Sequence, residues 1–314
     1  MFKKIVGSFA IWVIAFGVLL TILLLPTETI FETGQGGSFQ GVTYEYSLQG
    51  HIHNFQKLWN HLEENKGLGV DKYDKPISEN LVELFGRSMK IVLPAILLGF
   101  FLGIAKGVID FWLKGTKGKV LGHSSTLGLL SIPDFSMIVV IQIGLLTLMS
   151  KGWLFHIDLY GYEKLENVIM NILFLTIYPT IYISNVTFQA LSSEEGADYI
   201  RTARSKGIGK LVILYKHILK NSIPRILSHF NTMILYILSN LFLIEVFTQY
   251  KGAAYYMYET LGSSTSFFVG AVFSAEIVSL IGFVFLFTII MLIANIITGT
   301  SKAFLVTKKG EAFE

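Results

Sequence analysis

The sequence predicts an all-α integral membrane protein with six transmembrane helices and both termini cytoplasmic, and three observations carry that prediction. Of 314 residues, 52% are hydrophobic, 25 are phenylalanine and only 15% are charged, whereas a soluble domain carries about 25% charge. Mean hydropathy is +0.58. Six apolar runs have the ~20-residue length that takes a helix across ~30 Å of hydrocarbon. The cations gather in alternate connections between those runs, as expected where cytoplasmic loops retain positive charge. A net charge of +3 gives no ground for a nucleic-acid partner, and the absence of cysteine excludes disulfides, thiolate metal sites and a thiol nucleophile.

The first run, 5–25, follows Lys3 and Lys4 like a signal peptide. Its apolar stretch is too long for one, and no small-x-small site precedes Pro26 and Thr27, so it reads as a retained signal anchor. The other runs are 88–113, 126–149, 167–190, 226–248 and 273–297. With the N-terminus inside, the cytoplasmic connections hold Lys114, Lys117 and Lys119, then Arg201, Arg204, Lys206, Lys210, Lys216, Lys220 and Arg225, and finally Lys302, Lys308 and Lys309. The external segment 26–87 is rich in acids and contains "HNFQKLWNHLEEN". There Phe55, Leu58, Trp59 and Leu62 recur at helical spacing, which predicts an amphipathic helix on the membrane surface or against an external partner. Pro94, Pro133 and Pro179 predict kinks. Gly99, Gly103, Gly107 and Gly144 permit close helix packing, and Gly99 and Gly103 form a Gly-x-x-x-Gly pair that could meet a second subunit or another helix of the same chain. No repeat or flexible linker divides the chain, so 1–314 is one transmembrane domain.

The connection 191–225 is too long for a turn. Ser192 and Glu195 have capping-box spacing, and Glu194 and Glu195 lie where a helix dipole favours negative charge. These signals predict a helix over 193–206, a left-handed stop at Gly207 with a second pivot at Gly209, and an amphipathic helix from Lys210 to Asn221 before Pro224 opens the fifth crossing. On residues alone, such a basic helix suits anionic lipid as well as a protein partner.

Residue order adds a resemblance. "DYIRTARSKG", Asp198 to Gly207, followed by "HILKNSIP", His217 to Pro224, resembles the cytoplasmic EAA-type loop of binding-protein-dependent ABC importer permeases, in the form typical of first-permease subunits of dipeptide, oligopeptide and nickel systems. "SMKIVLPAILLGFFLGI", "SIPDF" and "IEVFTQYKG" are similar to that family's second, third and fifth crossings, so the resemblance covers about 80–308. Arg201 stands where sugar importers carry the glutamate that names the motif, as is usual in the peptide branch. The chain lacks the family's Pro-Gly-Asp-Pro turn after the first crossing and its Asp-Pro-Arg ending. The resemblance implies a bacterial cytoplasmic-membrane permease subunit that passes a peptide-like solute. It implies as partners a second permease, usually a different chain, two cytoplasmic ATP-binding subunits that hold the ATP and magnesium, an extracellular or periplasmic solute-binding protein, and the lipid bilayer. The ATPase-coupling residues would be Ala197, Asp198, Tyr199, Ile200, Arg201, Thr202, Ala203, Arg204, Lys206 and Gly207. In that reading, Ala197, Ile200 and Ala203 allow close approach of the ATPase, the cations pair with its carboxylates, and Asp198 neutralises Arg201 or Arg204.

Other chemistry is sparse. "GIGKL" and "GTKGKV" lack the spacing of a phosphate loop, so the chain is expected to be no enzyme and to hold no cofactor. His51, His53 and His61 lack the carboxylate or cysteine company of a metal site. In "GHSST", the serine beside a histidine reads as a helix N-cap. Glu245 and Glu276 are ionisable groups at membrane depth, candidates for a pathway or gate. They keep open an ion-coupled secondary carrier. A nickel or metal-chelate importer of the same family is also compatible with the sequence, as is a membrane scaffold or sensor that does not transport.

Overall fold

The computed structural model describes residues 2–26, 30–33, 39–43, 46–71, 74–260 and 277–310. Among the described residues the regular structure is helical except for a short antiparallel ladder, β1 (Ile30–Thr33) on β2 (Phe39–Thr43), and an isolated bridge between Val70 and Pro76. Among the described residues, five helices are long and apolar enough to cross a membrane: α1 (Phe2–Leu23), α3 (Ile77–Trp112), α6 (Leu165–Glu194), α10 (Phe230–Phe247) and α12 (Ile277–Gly310). A sixth span exists if a bent pair, Lys117–Leu130 with Asp134–Ser150, counts as one. Shorter helices are α2 (Leu48–Glu64), α4 (His123–Leu130), α5 (Asp134–Ser150), α7 (Asp198–Ser205), α8 (Lys210–Val212), α9 (Lys220–Leu227) and α11 (Ala253–Thr260).

Three predicted runs are redrawn. The run 126–149 is broken into α4 and α5, bent by 110°, because Pro133 has no N–H and its ring drives Ile132 out of the helical region. Pro94 and Pro179, by contrast, sit inside unbroken helices. The helix that contains the second run begins at Ile77, ahead of residue 88, and its first turns pack through Ile77, Leu81 and Leu84 on Ala253 and Phe283. Pro224 lies within α9, and α10 begins only at Phe230. Glu276 and the start of the predicted sixth crossing fall outside the described residues.

The chain forms two compact units. The first centres on Met89–Tyr250. Its spine is the packing of α3 on α6: a Cβ added at Gly99, Gly103 or Gly107 would lie 2.9, 2.6 or 2.5 Å from the Cβ of Pro179, Ile183 or Thr187. Both rows have a spacing of four, so one ridge fills the groove left by the other. The glycine stripe is therefore an internal contact of this chain. Thr248 on the end of α10 donates to Asn171 Oδ1 of α6 at 2.8 Å, and Asn231 of α10 bonds both Asn295 and Thr298 of α12.

The second unit contains Phe9–Ser88 and the described part of Lys251–Ile289. Leu81 fills the notch over Gly282, Arg87 donates to the Lys251 carbonyl at 2.7 Å, and Ser88 Oγ accepts from the Ala253 N–H at 2.7 Å. The segment 26–87 does contain the expected amphipathic helix, α2, but Leu58 and Leu62 turn partly inward while Phe55 and Trp59 turn out. The four residues share one stripe of about 100°, whose Leu58 and Leu62 edge is half-buried and whose Phe55 and Trp59 edge is exposed.

Candidate functional site

The helix predicted over 193–206 is two helices. The apolar pattern of α6 continues through Ala190 and Leu191, both fully buried, so α6 absorbs Ser192, and Glu195 becomes its C-cap. Ser192 and Glu195 therefore form no capping box. The chain turns at Gly196, and α7 starts after an N-cap at Ala197 whose side chain makes no capping bond. Asp198 in its first turn and Arg204 in its last both suit the helix dipole.

The end of α7 follows the sequence prediction. Gly207 has φ +73°, its N–H donates to Arg204 O at 3.0 Å, and the Ile208 N–H donates to Ala203 O at 3.2 Å. This pair of bonds, with apolar Ile208 over Ala203, is a Schellman stop and fixes the exit direction of the chain. Beyond Gly209, α8 passes into a π-helical stretch, Ile213–Leu219, and then α9, so one helical arm contains a wide turn of the kind that recurs at functional sites.

Ile200 and Ala203 do not face outward, as the sequence reading has them. Both are buried, at 0% and 6% exposure, in a cluster with Val108 of α3, Leu191 of α6, and Ile213, Leu214 and Ile218 of the π-helical arm. Ala197 packs against the same cluster. The apolar face of α7 is thus a seat in its own chain. Its outer face carries Asp198, Arg201, Thr202, Arg204, Ser205 and Lys206, all exposed.

Charge on the outer face is divided between pairs. Arg201 meets Asp198 at 3.5 Å, whereas Arg204 meets Glu195 at 3.7 Å, and Lys114 reaches the same Glu195 at 3.0 Å. Tyr199 joins α7 to α6 through its hydroxyl, which donates to the Glu194 carboxylate. Partial burial, then that carboxylate, pushes the Tyr199 phenol above its usual range. Between α7, the π-helical arm and the end of α3 lies a cleft of 710 Å³, with Lys114, Arg204 and Lys210 among its walls and Phe111, Ile213 and Leu214 on its apolar side.

A buried polar cluster lies on the same stretch of α3, and the sequence reading missed it. Asp110, 2% exposed, takes Lys106 Nζ at 3.0 Å, the Thr126 hydroxyl of α4 at 2.5 Å and the Ser184 hydroxyl of α6 at 2.9 Å. The available signal was Lys106 and Asp110 at i, i+4 in the otherwise uncharged stretch of α3 from Ile91 to Trp112, where a charge is tolerated when it is paired. The cluster also replaces the N-cap reading of "GHSST": the α4 N-cap is Gly122, Thr126 binds Asp110, and His123 stacks on Phe188 with centroids 3.7 Å apart.

The remaining candidates separate. Glu245 is fully buried in the last turn of α10, ahead of Thr248, while Glu276 is outside the described residues. His51 and His61 have bonds within the chain, to the carbonyls of Thr21 at 3.0 Å and Leu68 at 2.9 Å. No metal-binding group of His, Asp and Glu occurs among the described residues.

Comparison with known proteins supplies what geometry alone does not. Residues 95–309 match the family model of the binding-protein-dependent transport system inner membrane component. The dipeptide transport system permease protein DppB of Alkalihalophilus pseudofirmus is 22% identical over 213 residues, covering 60% of this chain and 63% of the relative. The DppB protein of Bacillus subtilis is 24% identical over 198 residues, 62% of each. The oligopeptide transport system permease protein AppB of Bacillus subtilis is 23% identical over 191 residues, 56% of this chain and 58% of the relative. The chain thus spans about three-fifths of the length of the relatives it matches. The family and the apolar helices together make it a multi-pass membrane protein of the bacterial cell membrane.

Proposed function

The chain belongs to the binding-protein-dependent transport system inner membrane component family, and from that premise we propose that it is one membrane half of an ATP-driven importer for a peptide-like solute. An external binding protein delivers the solute, a second permease completes the path, and two ATP-binding subunits dock on the 191–225 elbow at the cytoplasmic end. ATP hydrolysis belongs to those subunits, which hold the nucleotide and magnesium.

The observation that supports this reading is the orientation of α7. A helix resting on lipid turns its apolar side to the membrane. Here Ile200 and Ala203 are sealed within the chain and the exposed side is charged, with an acid, Asp198, among the cations. That face suits a protein surface with carboxylates and helix C-termini. Because Ile200 and Ala203 share a core with Val108 and Leu191, a push on the outer face of α7 is delivered to α3 and α6 together. The Gly207 stop sets the angle at which the following arm leaves α7, and Ile213, Leu214 and Ile218 tie that arm to the same core.

Reconstitution of the chain in vesicles with a partner permease, the ATP-binding subunits and the external binding protein tests the reading. Uptake of labelled dipeptide should require ATP, and Arg204→Glu or Gly207→Pro should lower uptake per ATP hydrolysed while membrane insertion persists. Uptake that proceeds without any ATPase would sink the proposal and favour an ion-coupled carrier using buried Glu245. Uptake of a nickel chelate in place of dipeptide would keep the importer and change its cargo.

A further inference from the structure

The helix α2 divides into three sectors. At about 100° per residue, Leu48, Ile52, Phe55 and Trp59 project within about 60° of one another. They are 63%, 50%, 37% and 68% exposed. A second sector, roughly a third of a turn away, faces the chain: His51 is buried, and Asn54, Leu58 and His61 are half-buried. The third sector carries His53, Lys57, Asn60 and Glu64, all exposed.

The inward sector sets the level at which the other two lie. His51 Nε2 donates to the Thr21 carbonyl at 3.0 Å, and Asn54 Nδ2 donates to the Leu24 carbonyl at 3.1 Å. Those carbonyls belong to the C-terminal end of α1, a 19-residue apolar stretch from Ile5 to Leu23, where a helix leaves its last C=O groups without backbone partners. Side chains of α2 therefore cap a membrane span. A helix held at the end of a span lies where hydrocarbon gives way to headgroups, and there an outward apolar stripe with an aromatic pair meets lipid while the third sector meets water.

We propose that the Leu48, Ile52, Phe55 and Trp59 face of α2 is seated in the interfacial layer of the phospholipid bilayer, so that α2 lies in the membrane plane and clamps the end of α1 at a fixed depth. The occupant of this face is the boundary of acyl chains and headgroups. The inference requires only that α1 spans the membrane and is independent of what the protein transports.

The absence of cysteine from the chain makes single-cysteine variants a direct test. Full-length Ile52→Cys, Phe55→Cys, His53→Cys and Lys57→Cys proteins in phosphatidylethanolamine and phosphatidylglycerol vesicles are reacted with a charged, membrane-impermeant maleimide. The first two should react about tenfold more slowly than the last two, because an apolar setting that raises a thiol pKa by about one unit removes nine-tenths of the thiolate. A companion measurement leaves α2 untouched: with Trp12, Trp112 and Trp153 changed to Phe, emission from Trp59 should be quenched by lipid brominated near the headgroup and little by aqueous iodide. Equal maleimide rates at the four positions overturn the proposal, as does Trp59 quenched by iodide and not by brominated lipid. Protection that appears only when a soluble external binding protein is added also overturns it and assigns the face to that protein.

Discussion

Two amphipathic helices in this chain, α7 and α2, flank membrane spans and turn opposite faces to their own protein. In α7 the apolar residues Ile200 and Ala203 are inside and the charges outside. In α2 the inward ties are polar, His51 to Thr21 and Asn54 to Leu24, and the stripe from Leu48 to Trp59 faces out. Amphipathicity gives a direction but not its sign. The sign depends on what a helix is anchored to: α7 sits over a hydrophobic cluster, α2 over the open carbonyls at the end of a helix. One helix therefore exposes charge and the other exposes apolar surface.

Mirror substitutions are the strongest way to break this comparison. Ile200→Asp places a carboxylate where exposure is 0% and should cost about 3–5 kcal/mol of stability around the elbow, seen as a lowered Tm in detergent and rapid proteolysis near Gly196 and Gly209. Ile52→Asp, on a residue 50% exposed, should change the same Tm little. Equal losses at the two positions would mean that both helices are seated on apolar faces. Next in size is the polar support beneath each unit. Asp110→Ala leaves Lys106 facing Thr126 and Ser184 without their shared acceptor, a loss of roughly 3 kcal/mol. His51→Ala should cost about 1–2 kcal/mol by uncapping one carbonyl. If His51→Ala proves the more damaging of the two in thermal unfolding, the ranking of buried ion cluster over helix cap is wrong.

What was legible in the sequence follows from which signals are local. The apolar spans, the Gly207 stop and the existence of an amphipathic helix in 26–87 rest on composition, on a glycine at the end of a helical stretch, and on helical spacing. Each of these is complete within a few residues. The capping box at Ser192 and Glu195 was also a local signal, yet it lost to the burial of Ala190 and Leu191, which draws α6 onward through the serine. Tertiary partners decided the rest. Nothing near Ile200 in the chain announces Val108 or Ile218, and Asp110 finds Thr126 and Ser184 on two other helices. Pro133 predicts a kink, but the 110° bend leaves α4 free to lie against α6 as a separate element. The glycine stripe was legible as a contact surface; that its partner is the Pro179, Ile183 and Thr187 row of the same chain was not.

A smaller effect concerns the hinge that ends α7. Gly207 holds φ +73° with open space around its Cα, so Gly207→Ala meets no clash and incurs only the left-handed backbone cost, about 1 kcal/mol. Hydrogen exchange should show faster opening of the last turn of α7, at Ala203 to Ser205, with α2 unchanged. An unaltered exchange rate there would show that the Schellman bonds from Gly207 and Ile208 add nothing beyond the apolar seat, and that the stop is held by Ile208 alone.

The smallest expected effect on the fold is the most informative about partners. Arg201 and Asp198 are 76% and 95% exposed in their side chains and 3.5 Å apart, and such solvent-screened pairs contribute little to stability. Arg201→Ala should therefore leave the Tm of the isolated chain unchanged, in contrast to Ile200→Asp one residue away. With ATPase subunits present, the same Arg201→Ala should weaken their co-purification with the chain, and the difference should fade as salt rises, because a cation on an exposed face acts on a partner through screened electrostatics. A Tm drop in the isolated chain with ATPase binding intact would place Arg201 among the groups that hold α7 to its own protein and erase the division of its two faces.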